Sequence, residues 1–293
     1  MESSGLHEFQ AHRPRLFALA YRMLGSASAA EDAVQEANLR WDGTARSTIR
    51  SAEAWLTTAV VNLCRSWLVS ARARREVYVG PWLPEPVPTS GGELGPLESA
   101  EEREQISLAL LTTLERLNPV ERAVFVLREG FGYAHREIAD MLAVSESSSQ
   151  QTYRRASQRV REGKARFEIS AEQSRELVER FLKSARTGDV EQLQALLAAD
   201  VIATADGGGT VTAVRRPVEG AQNVARYLLG LLRWEVPGME ISLEEVNGEL
   251  AVVARVERNP VVVIGIETSA NEVTALRLIV NPEKLAYFGR ASR

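Results

Sequence analysis

Ser148, Gln150, Gln151, Arg154, Arg155 and Arg159 fall within twelve residues and are the side chains best suited to chemistry in this chain. Amides pair with base edges, and guanidiniums reach either guanine edges or phosphates. That chemistry is recognition of duplex DNA, not bond making. It needs a helix to present the side chains and a second helix to brace it. Residues 119–162 supply both. Pro119 suits a helix's first turn, where its missing N–H is not needed. Val124, Leu127, Ile138, Met141 and Leu142 recur at helical spacing as an apolar seam. Ala143-Val144 forms a turn, and Ser145 is a good N-cap for the polar, arginine-rich helix that follows. The pattern is a helix-turn-helix. Ser149, Tyr153, Ala156 and Val160 are expected to face inward, with Gln150, Gln151, Arg154 and Arg155 toward a major groove. Arg159 and Arg161 lie nearer phosphates. A plain three-helix bundle with a solvated polar face is the alternative.

The chain as a whole is no basic DNA-coating protein, because its 293 residues carry a net charge of −4. From residue 171 onward there are 14 Lys/Arg and 17 Asp/Glu, leaving 21 and 22 in the first 170. Nucleic-acid contact must come from local patches. One is residues 65–75, with Arg65, Arg72, Arg74 and Arg75 and no acid; the other is residues 154–166. Each can take several phosphates, which gives salt-dependent binding. A hydrophobic share of 45% and a charged share of 25% fit a soluble globular protein of two or three domains. No apolar run approaches a membrane span, and MESSGLHEF lacks a secretory apolar region. The one cysteine, Cys64, permits no internal disulfide, so a cytoplasmic setting is expected. His7, His12 and His135 form no metal-ligating cluster, so no metal and no cofactor is expected.

The first 76 residues read as three helices. Phe9, Leu16, Leu19, Ala20 and Met23 line the first, which ends at Gly25. The second begins near Ser28, with Ala33, Val34, Ala37 and Trp41 apolar and Glu31, Asp32, Gln35 and Glu36 on the other face. Ser51 caps the third, with Trp55, Leu56, Val60, Leu63 and Trp67 expected in the core. Residues 77–98 are a proline-rich linker. Trp82 and Leu83 are unusual in a mere spacer, so WLPEP docks either on a partner or on its own domain. Beyond residue 171 two amphipathic helices break at Gly188, and a further helix spans GAQNVARYLLGLLRW. Four strand-like runs follow, with Asn247-Gly248 suited to a type I′ hairpin turn. These describe an α+β domain with a curved antiparallel sheet.

EDAVQEANLRW at 31–41, EAWLTTAVVNLCRSWLVSARARR at 53–75 and the helix-turn-helix at 119–162 resemble the extracytoplasmic-function sigma factors of bacterial RNA polymerase. The resemblance covers both sigma DNA-binding domains, residues 6–168. DGGGT at 206–210 and NPEKL at 281–285 resemble the SnoaL-like (NTF2-like) domain fused to one subgroup, and WLPEP at 82–86 is similar to that subgroup's linker signature. The resemblance implies four parts. Residues 1–76 form sigma region 2, for core polymerase and the −10 element. Residues 77–98 are the linker, and residues 99–168 form the all-α region 4 for the −35 element. Residues 171–293 form a cone-shaped SnoaL-like regulatory domain. It further implies that Asp32, Gln35, Glu36 and Leu39 grip the β′ clamp helices, with the β subunit also a partner, and that promoter DNA is the substrate. Asn62, Arg65, Ser66 and Arg72, with the loop Asp42–Arg50, are implied to open and read the −10 element. Trp82, Leu83, Pro84, Glu85 and Pro86, then Asp206, Gly207, Gly208 and Gly209, then Asn281, Pro282, Glu283, Lys284 and Leu285 are implied to form the regulatory contact of the tail domain. The chain departs from its relatives at Asn38, where they usually place tryptophan, and at Ser149, where most carry an apolar residue.

Some domains of the C-terminal type are enzymes. An acid-base site wants a paired histidine and carboxylate, or two carboxylates, aimed into a cavity. No histidine follows residue 171, and Asp206 stands before three glycines, where a turn is its ordinary role. No enzymatic activity is expected, although the domain could hold an unidentified small ligand. Two classes remain: a sigma factor with a built-in regulator, or a ligand-sensing helix-turn-helix regulator. A cyclase or isomerase fused to DNA-binding helices is a remote third. The acidic face of the second helix favours the sigma factor, because a plain repressor has no use for it.

Overall fold

The computed structural model describes residues 2–45, 49–75, 78–91, 94, 100–162, 171–233, 236–269 and 271–292. Two compact units are distinguished. One comprises residues 1–77 and 90–163, the other residues 78–89 and 164–293.

In the first unit α1 (Glu2–Leu24), α2 (Ala27–Asp42) and α3 (Ala52–Arg75) pack together. Gly25 ends α1 at φ 64°, a left-handed value that only glycine adopts without cost. Ser26, rather than the expected Ser28, caps α2, its hydroxyl accepting from the Ala29 N–H at 3.1 Å. Ala27, Ala30, Ala33 and Ala37 of α2 are fully buried, so small side chains let the helices approach closely around Tyr21, Trp41 and Val60. Ser51 caps α3 as expected.

The rest of the unit is α4 (Ala100–Glu104), α5 (Leu108–Leu114), α6 (Pro119–Phe125), a π turn at Val126–Gly130, α7 (His135–Leu142) and α8 (Glu146–Glu162). Asn118 and Glu121 form a capping box, each side chain taking the other's backbone N–H. Ala143 turns the chain at φ 54°, and the Ser145 hydroxyl accepts from the Ser148 N–H at 3.1 Å, which completes the helix-turn-helix.

Two arginines join these halves reciprocally. Arg122, 2% exposed, donates to Leu114 O at 2.9 Å and to Met23 O at 2.8 Å, and pairs with Glu115. Met23 O is one of the carbonyls left over at the end of α1. In return Arg22 lies on the Phe131 ring and donates to Gly130 O at 2.9 Å, at the end of the π turn. Arg15 donates to the Tyr133 hydroxyl at 3.0 Å.

The second unit carries α9 (Ala171–Thr187), α10 (Val190–Ala195), α11 (Ala221–Leu232), α12 (Pro282–Ala291) and one six-stranded sheet. Its strands are β1 (Leu197–Asp206), β2 (Val218–Glu219), β3 (Met239–Val246), β4 (Glu249–Val256), β5 (Asn259–Ser269) and β6 (Glu272–Ile279), in the order β2-β1-β6-β5-β4-β3. The sheet is mixed, not antiparallel as expected, because β1 pairs parallel with β6. The helix after Gly188 is short, stopping at Ala195, and β1 starts at Leu197. Val201, Ala203 and Ala205 alternate inward from β1 and meet Leu177, Phe181 and Leu228 of the helices. Asn247 (φ 55°) and Gly248 (φ 75°) form the β3–β4 turn with two positive φ values, as a type I′ hairpin requires.

Replacing Arg122 with methionine keeps the volume but leaves Met23 O, Leu114 O and Glu115 without their cation. A loss of about 3 kcal/mol in unfolding free energy of the first unit is expected, measured by denaturant melts.

Candidate nucleic-acid and polymerase interfaces and the linker clasp

On α8 the arrangement follows from the helical period. Ser149, Thr152, Ala156 and Val160 are buried; Gln150, Gln151, Arg154 and Arg155 are exposed together on the opposite side. Ser148 is half-buried beside the cap. Tyr153 sits at the boundary, its hydroxyl donating to Glu129 and its ring 5.5 Å from that of His135. Ser149 is fully buried, yet its hydroxyl is satisfied by a 3.0 Å hydrogen bond shared with His135 Nδ1. Desolvation, reinforced by Arg128, holds that imidazole below the usual histidine range. Arg159 is not a free cation. It pairs with Glu121 at 2.6 Å, so any phosphate it meets competes with a carboxylate.

Asn62 and Ser66 are exposed on α3, and Arg65 beside them is half-buried. Arg65 Nη1 donates to Asn62 Oδ1 at 3.3 Å, which orients the amide. The Arg72 side chain and residues 46–48 of the Asp42–Arg50 loop lie outside the described residues. On α2, Asp32 and Gln35 are exposed, Glu36 is half-buried and paired with Arg40 at 3.0 Å, and Leu39 is 63% exposed. Asn38 is half-buried, with its Oδ1 lacking a hydrogen-bond partner among the described residues. Trp55, expected in the core, is half-buried beside the Trp41 ring, and Trp67 is a second departure from expectation. It is half-buried rather than core, and with Leu63 it lines a groove shared with the α2 face. Sequence spacing puts Trp67 on the apolar stripe of α3 but does not say where the neighbouring helix ends its cover.

The second unit contains a clasp around residues 78–89. Asp206, at the end of β1, has no exposed surface. Its Oδ1 accepts from the Tyr78 hydroxyl at 2.6 Å and from the Gly208 N–H at 3.1 Å. Its Oδ2 accepts from the Leu83 N–H at 2.7 Å and pairs with Lys284 Nζ at 2.6 Å. Lys284 also donates to Leu83 O, and its ammonium lies 4.1 Å from the centre of the Trp82 ring. Asn281 caps α12 through the Glu283 N–H at 3.0 Å and donates to the Tyr78 hydroxyl at 3.0 Å. Desolvation, then the Asp206 carboxylate, pushes the Tyr78 phenol well above its usual range, so it stays a donor.

The glycines earn their place by distance. A Cβ on Gly208 would lie 2.3 Å from Asn281 Nδ2, and one on Gly209 would lie 3.0 Å from Val79 Cβ. Pro84, Pro86 and Pro88 lack N–H donors, so Leu83, Glu85 and Val87, which alternate with them, carry the segment's backbone donors. The Leu83 N–H goes to Asp206 and the Val87 N–H to Asn247 Oδ1 at 3.0 Å. Leu83 and Val87 are buried, as are Pro84, Glu85 and Pro86, and so is Leu285 of α12.

The clasp thus brings together Trp82, Leu83, Asp206, Gly208, Asn281 and Lys284 from the three motifs. It also uses three residues outside those motifs: Tyr78, Asn247 and Thr89. Asn247 exchanges two bonds with Val87, its own N–H reaching Val87 O at 2.9 Å, and the Gly248 N–H donates to the Thr89 hydroxyl at 2.9 Å. Asn247 was recognised only as a turn residue, and its side chain does this second task. Beside the glycine loop lies a small cavity of about 210 Å³ lined by Val79, Gly80, Thr210 and Arg215 among others. That is below the roughly 300 Å³ at which ligand pockets usually begin.

Either single change, Asp206→Asn or Lys284→Met, leaves a buried charge without its partner. Each is expected to destabilise the second unit by about 3–5 kcal/mol in thermal or denaturant melts, and the double variant by less than the sum. Gly208→Ala, strained at φ 62° and crowded by Asn281, is expected to raise the rate of proteolytic cleavage within residues 78–89.

Residues 9–74 match the family description Sigma-70 region 2, and residues 107–160 match Sigma-70, region 4. The chain is 39% identical over 246 residues to "ECF RNA polymerase sigma factor SigJ" of Mycobacterium tuberculosis, covering 83% of this chain and 78% of the relative. It is 30% identical over 279 residues to "Probable ECF RNA polymerase sigma factor SigI" of the same species, covering 94% and 93%. The crystal structure of Mycobacterium tuberculosis SigJ superposes with a TM-score of 0.77 at 34% identity, over 96% of this chain and 98% of that one. With both helical modules matched, and an α+β unit following them in a solved relative of nearly equal extent, the chain belongs to the extracytoplasmic-function RNA polymerase sigma factors.

Proposed function

We propose that this chain is the promoter-recognition subunit of an RNA polymerase, and that its C-terminal domain regulates it by gripping the segment between regions 2 and 4. In this reading residues 1–76 bind core enzyme through Asp32, Gln35, Glu36 and Leu39 and read the −10 element through Asn62, Arg65, Ser66 and Arg72. Residues 99–168 read the −35 element. Gln150, Gln151, Arg154 and Arg155 face base edges, and Ser148 and Arg159 lie toward the backbone. The observation that carries the first part is the exposed amide and guanidinium stripe of α8 against a fully packed reverse face.

The regulatory part rests on the clasp. Residues 78–89 connect the two helical modules in sequence, and their Leu83 N–H, Leu83 O and Tyr78 hydroxyl are all bound by Asp206 and Lys284. Whatever strengthens or loosens that grip changes the freedom of the tether, and so the ease with which two promoter elements are engaged at once. The C-terminal domain acts here without catalysis. Asp206, its candidate acid, is already saturated by four donors, and histidine does not occur after residue 135. The work of such a protein, carried out on RNA polymerase, belongs to the cytoplasm, and no helix among the described residues is long and apolar enough to cross a membrane.

Arg154→Ala is expected to weaken −35 duplex binding by about 1–3 kcal/mol in a fluorescence anisotropy titration. An equal loss on scrambled duplex reassigns Arg154 to the DNA backbone. Deleting residues 171–293 should change promoter-dependent transcription by reconstituted holoenzyme, and Trp82→Ala should reproduce part of that change. Identical transcription by truncated and full-length protein sinks the gating reading and leaves the promoter-recognition reading standing.

A further inference from the structure

On the region 2 module an open groove of about 470 Å³ runs between two helices. Its α2 wall is Asp32, Gln35, Glu36, Leu39 and Arg40. Its α3 wall is Leu63 and Trp67, one helical turn apart. The walls differ in kind. The first offers carboxylates around a leucine that is 63% exposed, and the second is purely apolar or aromatic. Trp41 of the same module is 1% exposed and belongs to the core, whereas Trp67 keeps part of its surface outside the cover of its own fold and turns it to the groove.

The groove's charge selects its occupant. Two carboxylates, Asp32 and Glu36, line it, and among the described residues lining it only Arg40 opposes them, already paired with Glu36. Nucleic acid is repelled by such a lining, and a cationic protein surface is attracted. The DNA-facing amide of Asn62 lies five residues before Trp67, about 140° away around α3 at 3.6 residues per turn. The same helix therefore presents one face to each of two different macromolecules.

We propose that Trp67 is the aromatic anchor of the polymerase contact: the groove receives an amphipathic, cationic helix of core RNA polymerase, which packs its apolar side chains between Leu39 and Trp67. The proposal rests on the reading of the α2 face given above and extends it from one helix to two. In the bound state Leu39 and Trp67 close on the guest helix, and Asp32 and Glu36 flank its cations. Tryptophans in such positions carry a disproportionate share of binding energy.

The test is the affinity of core RNA polymerase, without DNA, for the full-length chain and for W67A, W67F, L39A and E36Q, each at low and at high salt. W67A is expected to raise Kd about thirtyfold at both salt concentrations. W67F should recover most of that loss, and E36Q should mainly flatten the salt dependence. Should W67A fail to fold by circular dichroism, Trp67→Met carries the test with a rise of about tenfold. If W67A binds core as tightly as the parent while L39A and E36Q bind weakly, the anchor proposal is overturned and the α2 reading stands. If L39A and E36Q also bind normally, the α2 reading falls with it. If W67A keeps its affinity for core but loses affinity for single-stranded −10 DNA, Trp67 is a base-stacking residue and the proposal is likewise overturned.

Discussion

A carboxylate with no exposed surface and an ammonium that is nearly as buried hold the second unit to residues 78–89. Burying either charge alone costs several kcal/mol. The pair is tolerable because its strong hydrogen-bonding directions are met, and most of the partners beyond the pair itself come from residues 78–83. Asp206 takes the Leu83 N–H and the Tyr78 hydroxyl, and Lys284 takes Leu83 O and the Trp82 ring. Without that segment the domain would carry an ion pair with unfilled positions in a low-dielectric site. The tether is therefore part of the domain's own structure, though it precedes that domain by more than eighty residues of sequence.

What the sequence disclosed follows the strength of local signals. The helix-turn-helix was legible because periodicity, a proline at the helix start and a serine cap agree within one short stretch. The Asn247-Gly248 turn was legible because two positive φ values demand those residues. β1 was not. Leu-Gln-Ala-Leu-Leu-Ala-Ala favours helix locally, and pairing with β6, some seventy residues later, overrides that preference. The parallel pairing itself has no local signature at all.

The interfaces show the same division. That Asp206, the glycines and Asn281 would lie together came from resemblance, and the distances explain why each residue type is needed there. The roles of Tyr78 and Thr89, and the second role of Asn247, have no local signature because each contribution is long-range. Each is an ordinary residue until the segment reaches it. Trp67 was misjudged for a related reason. An apolar stripe on α3 is real, but how far α2 covers it depends on the crossing of the two helices, which spacing does not encode. Ser149, polar where relatives are apolar, is reconciled with burial only by His135 fourteen residues earlier.

The reciprocal arginines of the first unit have a consequence for reversibility. Arg22 and Arg122 reach carbonyl oxygens across the two halves. Guanidiniums and helix-end carbonyls are groups that water solvates well once they part. Contacts of this kind close with geometric definition and are readily rehydrated on parting, which is the behaviour of a catch and not of a weld.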